Sequence, residues 1–181
     1  MSKKIFCIRH GQALHNVLFW EIGQKAYLKY RDTPLTAEGV KQSQLLGESY
    51  FTLGNNNIDL IIVSPLLRTL QTATNIFCKN LEDVPPCPMI ALDCVMEYPQ
   101  GLDKCNHRKS ILELKYCFPK IDFSKIEYDE DPVWRKYEIE PIVSGIKIIL
   151  YVYLSSFKDR RKRVRAVVTT IPDNSLLAIE G

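Results

Sequence analysis

The sequence lacks any long hydrophobic run. Its most apolar stretch, residues 146–154, is nine residues long and contains Lys147, whereas a membrane-spanning helix needs about 20 apolar residues. The apolar run near the N-terminus is too short for a signal peptide. We therefore expect a cytoplasmic protein with no membrane association.

The net charge of the sequence is also small, and closely spaced cysteine pairs are absent from it. The formal net charge is +3, and the basic run at residues 158–165 contains no aromatic side chain on which a base could stack. We therefore expect no nucleic-acid partner. The six cysteines include no Cys-x-x-Cys pair, so free thiols in a reducing compartment are expected. Cys105 and His107 lack a second ligand pair at zinc spacing, so no metal site is expected.

The composition is otherwise that of an ordinary globular protein. Hydrophobic residues make up 46% of the chain and charged residues 25%, close to the usual values. A length of 181 residues is enough for one domain with a real core and short for two. We therefore interpret residues 1–181 as a single domain.

An Arg-His-Gly triplet directly follows the first predicted strand. The apolar residues 5–8 lead into Arg9, His10 and Gly11, and ligands in open α/β sheets bind beyond the carboxyl ends of the strands. A guanidinium fork suits phosphate, an imidazole can attack phosphorus, and glycine permits a sharp turn and a close approach of backbone to ligand. The triplet alone does not distinguish a nucleophile from a hydrogen-bonded structural histidine.

Further helices and strands are predicted along the chain. Residues 17–30 are expected to begin helical and become a loop, and Thr36 to cap a helix that ends near Leu53. Residues 58–63 are typical of a buried parallel strand. Residues 89–92 and 165–169 predict two further strands, and the spacing of apolar residues over 142–153 favours a helix.

The helix after residues 58–63 carries a second candidate phosphate ligand. Ser64 and Pro65 predict its start, with Ser64 as N-cap and Pro65 in the first helical position. Arg68 then lies in the first turn, beside a helix N-terminus that is itself an anion site. The alternative is a solvated helix arginine. Glu97 follows the next strand, either as a functional acid or as an ordinary exposed loop residue.

Several motifs together resemble the histidine phosphatase superfamily, which has the phosphoglycerate-mutase-like fold. They are Arg-His-Gly-Gln-Ala-Leu-His-Asn at residues 9–16, Asp-x-Pro-Leu-Thr-x-x-Gly at 32–39 and Ser-Pro-x-x-Arg at 64–68. Later motifs, Cys-x-x-Arg, Phe-Pro-x-Ile-Asp-Phe-Ser and Glu-Asp-x-x-Trp, resemble the plant and fungal phosphoglycerate mutase-like proteins. The resemblance covers roughly residues 4–169.

The resemblance implies a fold and a set of site residues. The fold would be a three-layer α/β/α domain with a mainly parallel central sheet. His10 would be transiently phosphorylated, and Glu97 would protonate the leaving group. Phosphate would be bound by Arg9, Asn16 and Arg68. Arg108 either reaches a distal substrate group or is a surface cation of a helix. The partner would be a small phosphorylated substrate, with no metal and no organic cofactor. The oligomeric state stays open.

The chain departs from the family pattern near its C-terminus. Thr170 stands where the family has the second histidine of its phosphate pocket, and the helix and any strand after it are expected to be missing. We therefore expect a metal-independent phosphatase, less plausibly a mutase, that works through a phosphohistidine with weak activity. The alternative is a pseudophosphatase that binds a phosphorylated ligand without turning it over.

Overall fold

A computed structural model of the chain describes residues 4–52, 58–78, 80–97, 101–132, 134, 164–169 and 177–180. Five strands form one sheet: β1 (Lys4–Arg9), β2 (Leu60–Val63), β3 (Met89–Ala91), β4 (Val164–Thr169) and β5 (Leu177–Glu180). Their order is β3-β2-β4-β1-β5. The pairs β1–β4, β2–β4 and β2–β3 are parallel, and only β5 runs antiparallel to its neighbour β1. The predicted α/β class with a mainly parallel sheet is confirmed.

Five α-helices are described: α1 (Leu14–Ile22), α2 (Lys25–Lys29), α3 (Ala37–Leu46), α4 (Leu67–Phe77) and α5 (Ile111–Cys117). A π-helical turn (Gly47–Thr52) continues α3, and short 3-10 turns cover Asp93–Val95 and Lys104–Asn106. None of the helices in these described ranges is both long enough and apolar enough to cross a membrane.

The core lies mainly between the sheet and helices α4 and α5. Alternate residues of β1 and β2 point to one face of the sheet, because side chains along a strand alternate between faces. On this face the core comprises, among others, Phe6, Ile8, Ile61, Val63, Leu70, Ala73, Ile111 and Leu114. A smaller cluster of Leu60, Ile62 and Val95 lies apart from it. All four residues of β2 are buried, as predicted for a central parallel strand.

Helix α3 packs through small residues. Its buried positions are Gly39 and Ser43, and Gly47 follows at the same spacing. A Cβ atom on Gly39 would lie 2.1 Å from the Gln12 carbonyl oxygen, and one on Gly47 would lie 2.5 Å from that of Ile76. The predicted helix to about Leu53 is confirmed as far as Thr52, although its α-helical part ends at Leu46 and continues as the π-helical turn. Residues 53–57 lie outside the described part.

The expected helical beginning of residues 17–30 is confirmed, but the loop expected after it is wrong. Residues 14–29 form two helices, α1 and α2, and the break between them falls at Gly23. Gly23 has a φ of 61°, a conformation that glycine adopts at little cost. A break of two residues, Gly23 and Gln24, is therefore followed at once by a second helix.

The predicted start of α4 needs a correction. The helix begins at Leu67, and Ser64 is fully buried with a hydroxyl that makes no hydrogen bond in the described part of the chain. The first-turn Leu67 N–H instead donates to Asp32 Oδ1 at 2.7 Å. A carboxylate from another loop replaces the local cap because an ionised acceptor forms the stronger hydrogen bond.

The C-terminal strands partly confirm and partly correct the expectations. The predicted strand at residues 165–169 is confirmed as β4, which pairs with β1 so that Thr169 lies opposite Arg9. The expectation that no strand follows is wrong, because β5 pairs with the other edge of β1. The helix expected at residues 142–153, the basic residues 158–163 and Thr170 lie outside the described residues.

Candidate active site

His10 immediately follows β1 and is 7% exposed. Its Nδ1 lies 2.6 Å from the carbonyl oxygen of Gly11. A carbonyl oxygen only accepts hydrogen bonds, so Nδ1 carries the proton and Nε2 keeps its lone pair. Burial, reinforced by the positive charge of Arg68, holds the pKa of His10 well below its usual range. The imidazole is therefore neutral near pH 7, with a nucleophilic Nε2.

Gly11 is required by packing against helix α3. A Cβ atom at this position would lie 2.4 Å from the backbone oxygen of Gly39. Because the clash is with backbone, no side-chain movement could relieve it. The Gly11 N–H donates to Thr72 Oγ1 at 3.1 Å, and that hydroxyl donates to the carbonyl oxygen of Arg68 at 2.7 Å. The close approach at Gly11 is thus between two backbone segments, those of Gly11 and Gly39. The hydrogen bond to Thr72 fixes the His10 loop against α4.

Arg68 is almost completely buried, with 1% of its surface exposed. One terminal nitrogen donates to the Cys105 carbonyl oxygen at 2.9 Å, and the other to Asn106 Oδ1 at 2.8 Å. Its Nε–H has no hydrogen-bond partner in the described part of the chain. An unsatisfied buried donor costs roughly 1–3 kcal/mol. This donor is therefore a ready contact for an anionic ligand, and the predicted surface alternative for Arg68 is wrong.

Glu97 lies beside the same guanidinium group. Its Oε2 is 3.5 Å from a terminal nitrogen of Arg68, and 28% of its side chain is exposed. It follows β3 after a short 3-10 turn. The carboxylate is thus partly exposed to solvent and lies beside a buried cation, unlike the ordinary exposed loop residue of the alternative, while its role as an acid stays a prediction.

Arg9 and Asn16 are the other two predicted phosphate ligands of the motif at residues 9–16. The Asn16 Oδ1 accepts a hydrogen bond from Ala13 N at 2.9 Å, so its NH₂ group is the end available to a phosphate. Arg9 is the last residue of β1 and lies close enough to His10 to help lower the histidine pKa. Arg68 and Arg9 are therefore positive groups close to the neutral imidazole of His10, and the Asn16 amide stays a predicted phosphate donor.

Arg108 is not part of this group. It is fully buried, and its guanidinium group donates to Asp93 Oδ1 and to four carbonyl oxygens, those of Lys109, Asp129, Tyr128 and Glu130. All five N–H donors are therefore engaged by the protein. Both expectations for Arg108 need correction: it is no surface cation, and it has no donor left for a distal substrate group.

His15 lies beside His10, although the sequence motifs did not predict a place for it in the site. This residue lies in the first turn of α1, is 3% exposed, and forms a hydrogen bond between Nδ1 and Thr33 Oγ1. Its ring centroid is 6.1 Å from that of His10. Burial, with Arg68 and Arg9 nearby, lowers the pKa of His15 to about 3. His15 belongs to the motif at residues 9–16, but its burial could not be predicted from the sequence. The reason is that the start of α1 at Leu14 has no capping side chain to mark it, since its N-cap is Ala13.

Asp32 was also missed. It is 1% exposed and accepts hydrogen bonds from the backbone N–H groups of Leu67 at 2.7 Å and Lys109 at 3.0 Å. Burial raises the pKa of this carboxyl to about 6, although both hydrogen bonds and Arg68 oppose the rise. Asp32 therefore connects the 32–39 motif to the start of α4 and to Lys109. Lys109 lies in the same segment as the two residues that accept hydrogen bonds from Arg68, Cys105 and Asn106.

Comparisons with known proteins agree with this arrangement. The sequence model of the histidine phosphatase superfamily (branch 1) matches residues 5–101. Phosphoglycerate mutase-like protein 1 of Arabidopsis thaliana is 31% identical, over 92% of this chain and 67% of the relative. Phosphoglycerate mutase-like protein 2 of the same plant is 32% identical, over 92% of this chain and 63% of the relative.

Solved structures show the same fold. The ecdysone phosphate phosphatase of Bombix mori superposes with a TM-score of 0.58 at 17% identity, over 93% of this chain and 73% of that chain. Phosphoserine phosphatase of Entamoeba histolytica superposes with a TM-score of 0.53 at 23% identity, over 92% of this chain and 74% of that chain. At these identities the likeness shows the fold alone.

The family match spans more than half of the chain, from β1 to the loop after Glu97. It therefore contains the triplet, helix α4 with its buried arginine, and the acidic residue beside that arginine. The resemblance drawn from short motifs is confirmed over this whole span: the chain belongs to the histidine phosphatase superfamily.

Proposed function

We propose that the protein hydrolyses a small phosphate monoester through a phosphohistidine on His10. The observation that supports this proposal is the neutral imidazole of His10 beside the buried Arg68, whose Nε–H has no partner in the described part of the chain. One group can attack phosphorus, and the other can neutralise the charge of the transferred phosphoryl group.

In the first step, Nε2 of His10 attacks phosphorus and the bond from phosphorus to the leaving oxygen breaks. The Nδ1–H group keeps its hydrogen bond to the Gly11 carbonyl oxygen, and this hydrogen bond stabilises the positive charge that develops on the ring. Arg68, Arg9 and the Asn16 amide donate to the phosphoryl oxygens. Protonated Glu97 gives its proton to the leaving oxygen, which departs as an alcohol.

In the second step, water attacks the phosphohistidine. Glu97, now a carboxylate, takes one proton from this water as the new P–O bond forms and the N–P bond breaks. Inorganic phosphate leaves, and both His10 and Glu97 return to their starting states. A partly exposed Glu97 suits this role because solvent must reach it.

Hydrolysis is favoured over a mutase reaction by the state of Arg108. A mutase must hold the dephosphorylated intermediate while its second hydroxyl group takes the phosphoryl group. Arg108, which was predicted either to reach a distal substrate group or to be a surface cation, has all its donors on protein oxygens and is not available to hold such an intermediate. We therefore infer that water is the usual acceptor.

The test is a trapping experiment with ³²P-labelled substrate and acid-labile label as the readout. We expect label on wild-type protein and none on His10→Asn. The matched control is His107→Gln, because His107 stacks on Trp134 with ring centroids 4.1 Å apart and has no proposed role. Label that persists on His10→Asn would refute the phosphohistidine.

The role of Glu97 has a separate test. Glu97→Gln should slow alkyl phosphates far more than aryl phosphates, because good leaving groups need little protonation. Equal losses on both would remove Glu97 as the acid. Wild-type protein that binds vanadate but forms neither phosphohistidine nor product would favour the pseudophosphatase alternative.

A further inference from the structure

A second imidazole lies beside the proposed nucleophile. The rings of His10 and His15 are 6.1 Å apart between centroids and inclined at 66°. His15 is 3% exposed, so it is part of the same buried region. Its position is fixed from two sides, by the Thr33 hydroxyl and by the Tyr27 ring, whose centroid lies 5.2 Å away.

The two histidines are held in the same way. In each ring Nδ1 is engaged by the protein, on the Gly11 carbonyl oxygen for His10 and on the Thr33 hydroxyl for His15. Neither Nε2 has a hydrogen-bond partner among the described residues. In each ring Nε2 is therefore the nitrogen left for a ligand.

The two ring nitrogens left for a ligand have different chemistry. The Gly11 carbonyl oxygen can only accept, so it forces the proton of His10 onto Nδ1. A threonine hydroxyl can donate as well as accept. If Thr33 donates to Nδ1 of His15, the single proton of this neutral ring sits on Nε2. His10 then presents a lone pair and His15 presents an N–H group.

We propose that Nε2–H of His15 donates a hydrogen bond to a non-bridging oxygen of the phosphoryl group that His10 attacks, with the Thr33 hydroxyl as the donor that sets this tautomer. This inference rests on the proposed function and deepens it. It assigns a neutral fourth donor to an anion site that already contains Arg9, Arg68 and Asn16.

The distance between the two rings is compatible with this arrangement. Attack places phosphorus about 3–3.5 Å from the nucleophilic nitrogen, and an N–H···O hydrogen bond spans about 2.9 Å. Both distances can be met by a phosphoryl group between rings whose centroids are 6.1 Å apart. The low pKa of His15 keeps the ring neutral before the anion binds, so it does not add a third positive charge to the empty site.

The test compares two variants of His15 with wild-type protein. His15→Phe keeps a ring against Tyr27 but has no N–H, and His15→Gln keeps an N–H donor without the ring. We expect His15→Phe to lower kcat by about 10²–10³-fold, the usual effect of losing one positioned donor, and to weaken vanadate binding. His15→Gln should recover at least tenfold of either loss.

A tautomer measurement supplies a readout that a structural role would not move. In a long-range ¹H–¹⁵N NMR spectrum, the His15 signals, identified by their loss in His15→Phe, should show a protonated Nε2. This proton should shift when vanadate is added, and Thr33→Val should weaken the preference for this tautomer. A ring protonated on Nδ1 in the vanadate complex would overturn the proposal.

The outcomes separate this inference from the proposed function. If His10 is labelled and His15→Phe turns over and binds vanadate like wild type, only the role of His15 is wrong. Equal losses in His15→Phe and His15→Gln would reduce His15 to a packing residue. If wild-type protein forms no phosphohistidine but binds vanadate through His15, the donor role stands and the hydrolytic function fails. Absence of vanadate binding would overturn both.

Discussion

Replacement of Arg108 by methionine tests whether this arginine holds the fold or the substrate. Arg108→Met keeps an unbranched side chain of similar length and removes the guanidinium group. The variant leaves Asp93 without its buried cation and removes the Arg108 donors from four backbone carbonyl oxygens, of which the Asp129 oxygen keeps the Ile111 N–H. We expect a large loss of stability and little direct effect on substrate binding.

The size of the loss follows from these contacts. Five hydrogen bonds at roughly 0.5–1.5 kcal/mol each give about 3–7 kcal/mol. Asp93 is 22% exposed, so water can hydrate part of the vacated site and the lower half of this range applies. The expected loss is about 3–5 kcal/mol, as for other buried pairs that lose one partner. Such a loss is a large share of a typical unfolding free energy of roughly 5–15 kcal/mol.

Urea unfolding monitored by far-UV circular dichroism measures this loss. With a slope of about 2 kcal/mol per M, a loss of 4 kcal/mol lowers the midpoint by about 2 M. The matched control is Lys109→Met, because the neighbouring Lys109 pairs on the surface with Glu113, four residues further along the chain. Exposed pairs of this kind contribute about 0.3–0.5 kcal/mol, so the control should unfold almost like wild type.

Kinetics on the folded variant complete the comparison. An aryl phosphate assayed well below the unfolding transition should show a KM within about threefold of wild type. A variant of nearly unchanged stability whose KM rises more than tenfold would refute the reasoning. That result would restore Arg108 as a ligand of the distal part of the substrate.

Three further predictions concern other parts of the site. Gly11→Ala should lower the free energy of unfolding by about 1–3 kcal/mol, because its Cβ would lie 2.4 Å from backbone. Gly23→Ala meets no atom within 4 Å, but its φ of 61° and ψ of −146° are a conformation essentially restricted to glycine, so it should cost roughly 1–3 kcal/mol through the backbone alone. An unchanged free energy of unfolding in Gly11→Ala would contradict the packing argument. Burial raises the pKa of Asp32 from 3.8 to about 6, so the folded state binds this proton more tightly than the unfolded state. The stability of wild type relative to Asp32→Asn should therefore fall by about 2 kcal/mol as pH rises from 4 to 7, and a stability difference that does not change with pH would contradict the raised pKa. Thr170→His should speed formation of the phosphoenzyme by about 10²-fold if a donor is missing there, and an unchanged rate in rapid-quench measurements would show that none is needed.

The sequence predicted best what depends on neighbouring residues. Apolar runs located β1, β2 and β3, since strand burial is encoded in consecutive side chains. Thr36 was predicted to cap α3 and does so, because its hydroxyl accepts from the Gly39 N–H at 3.1 Å. Arg68 was predicted in the first turn of α4 and lies there. In each case the partners are within a few residues of one another.

Ser64 shows where the same capping rule fails. Its sequence context matches that of Thr36, with a hydroxyl residue before a helix, yet its hydroxyl caps nothing. The α4 N-terminus is occupied by Asp32, which lies 35 residues away from Leu67 along the chain. A carboxylate accepts more strongly than a hydroxyl, so the distant residue displaces the local one. No local pattern contains this outcome, because it depends on where the 32–39 loop is packed.

The position of Arg68 makes the same point for chemistry. Motif spacing identified the arginine, but its orientation comes from the Cys105 carbonyl oxygen and the Asn106 amide, 37 and 38 residues further along the chain. These contacts occupy both terminal nitrogens and leave Nε–H as the donor without a partner in the described residues. An arginine without them would rotate to satisfy all its donors on the protein, as Arg108 does. The difference between a ligand-binding arginine and a structural one therefore lies in which acceptors surround it, and the two are indistinguishable in the sequence until the fold brings those acceptors together.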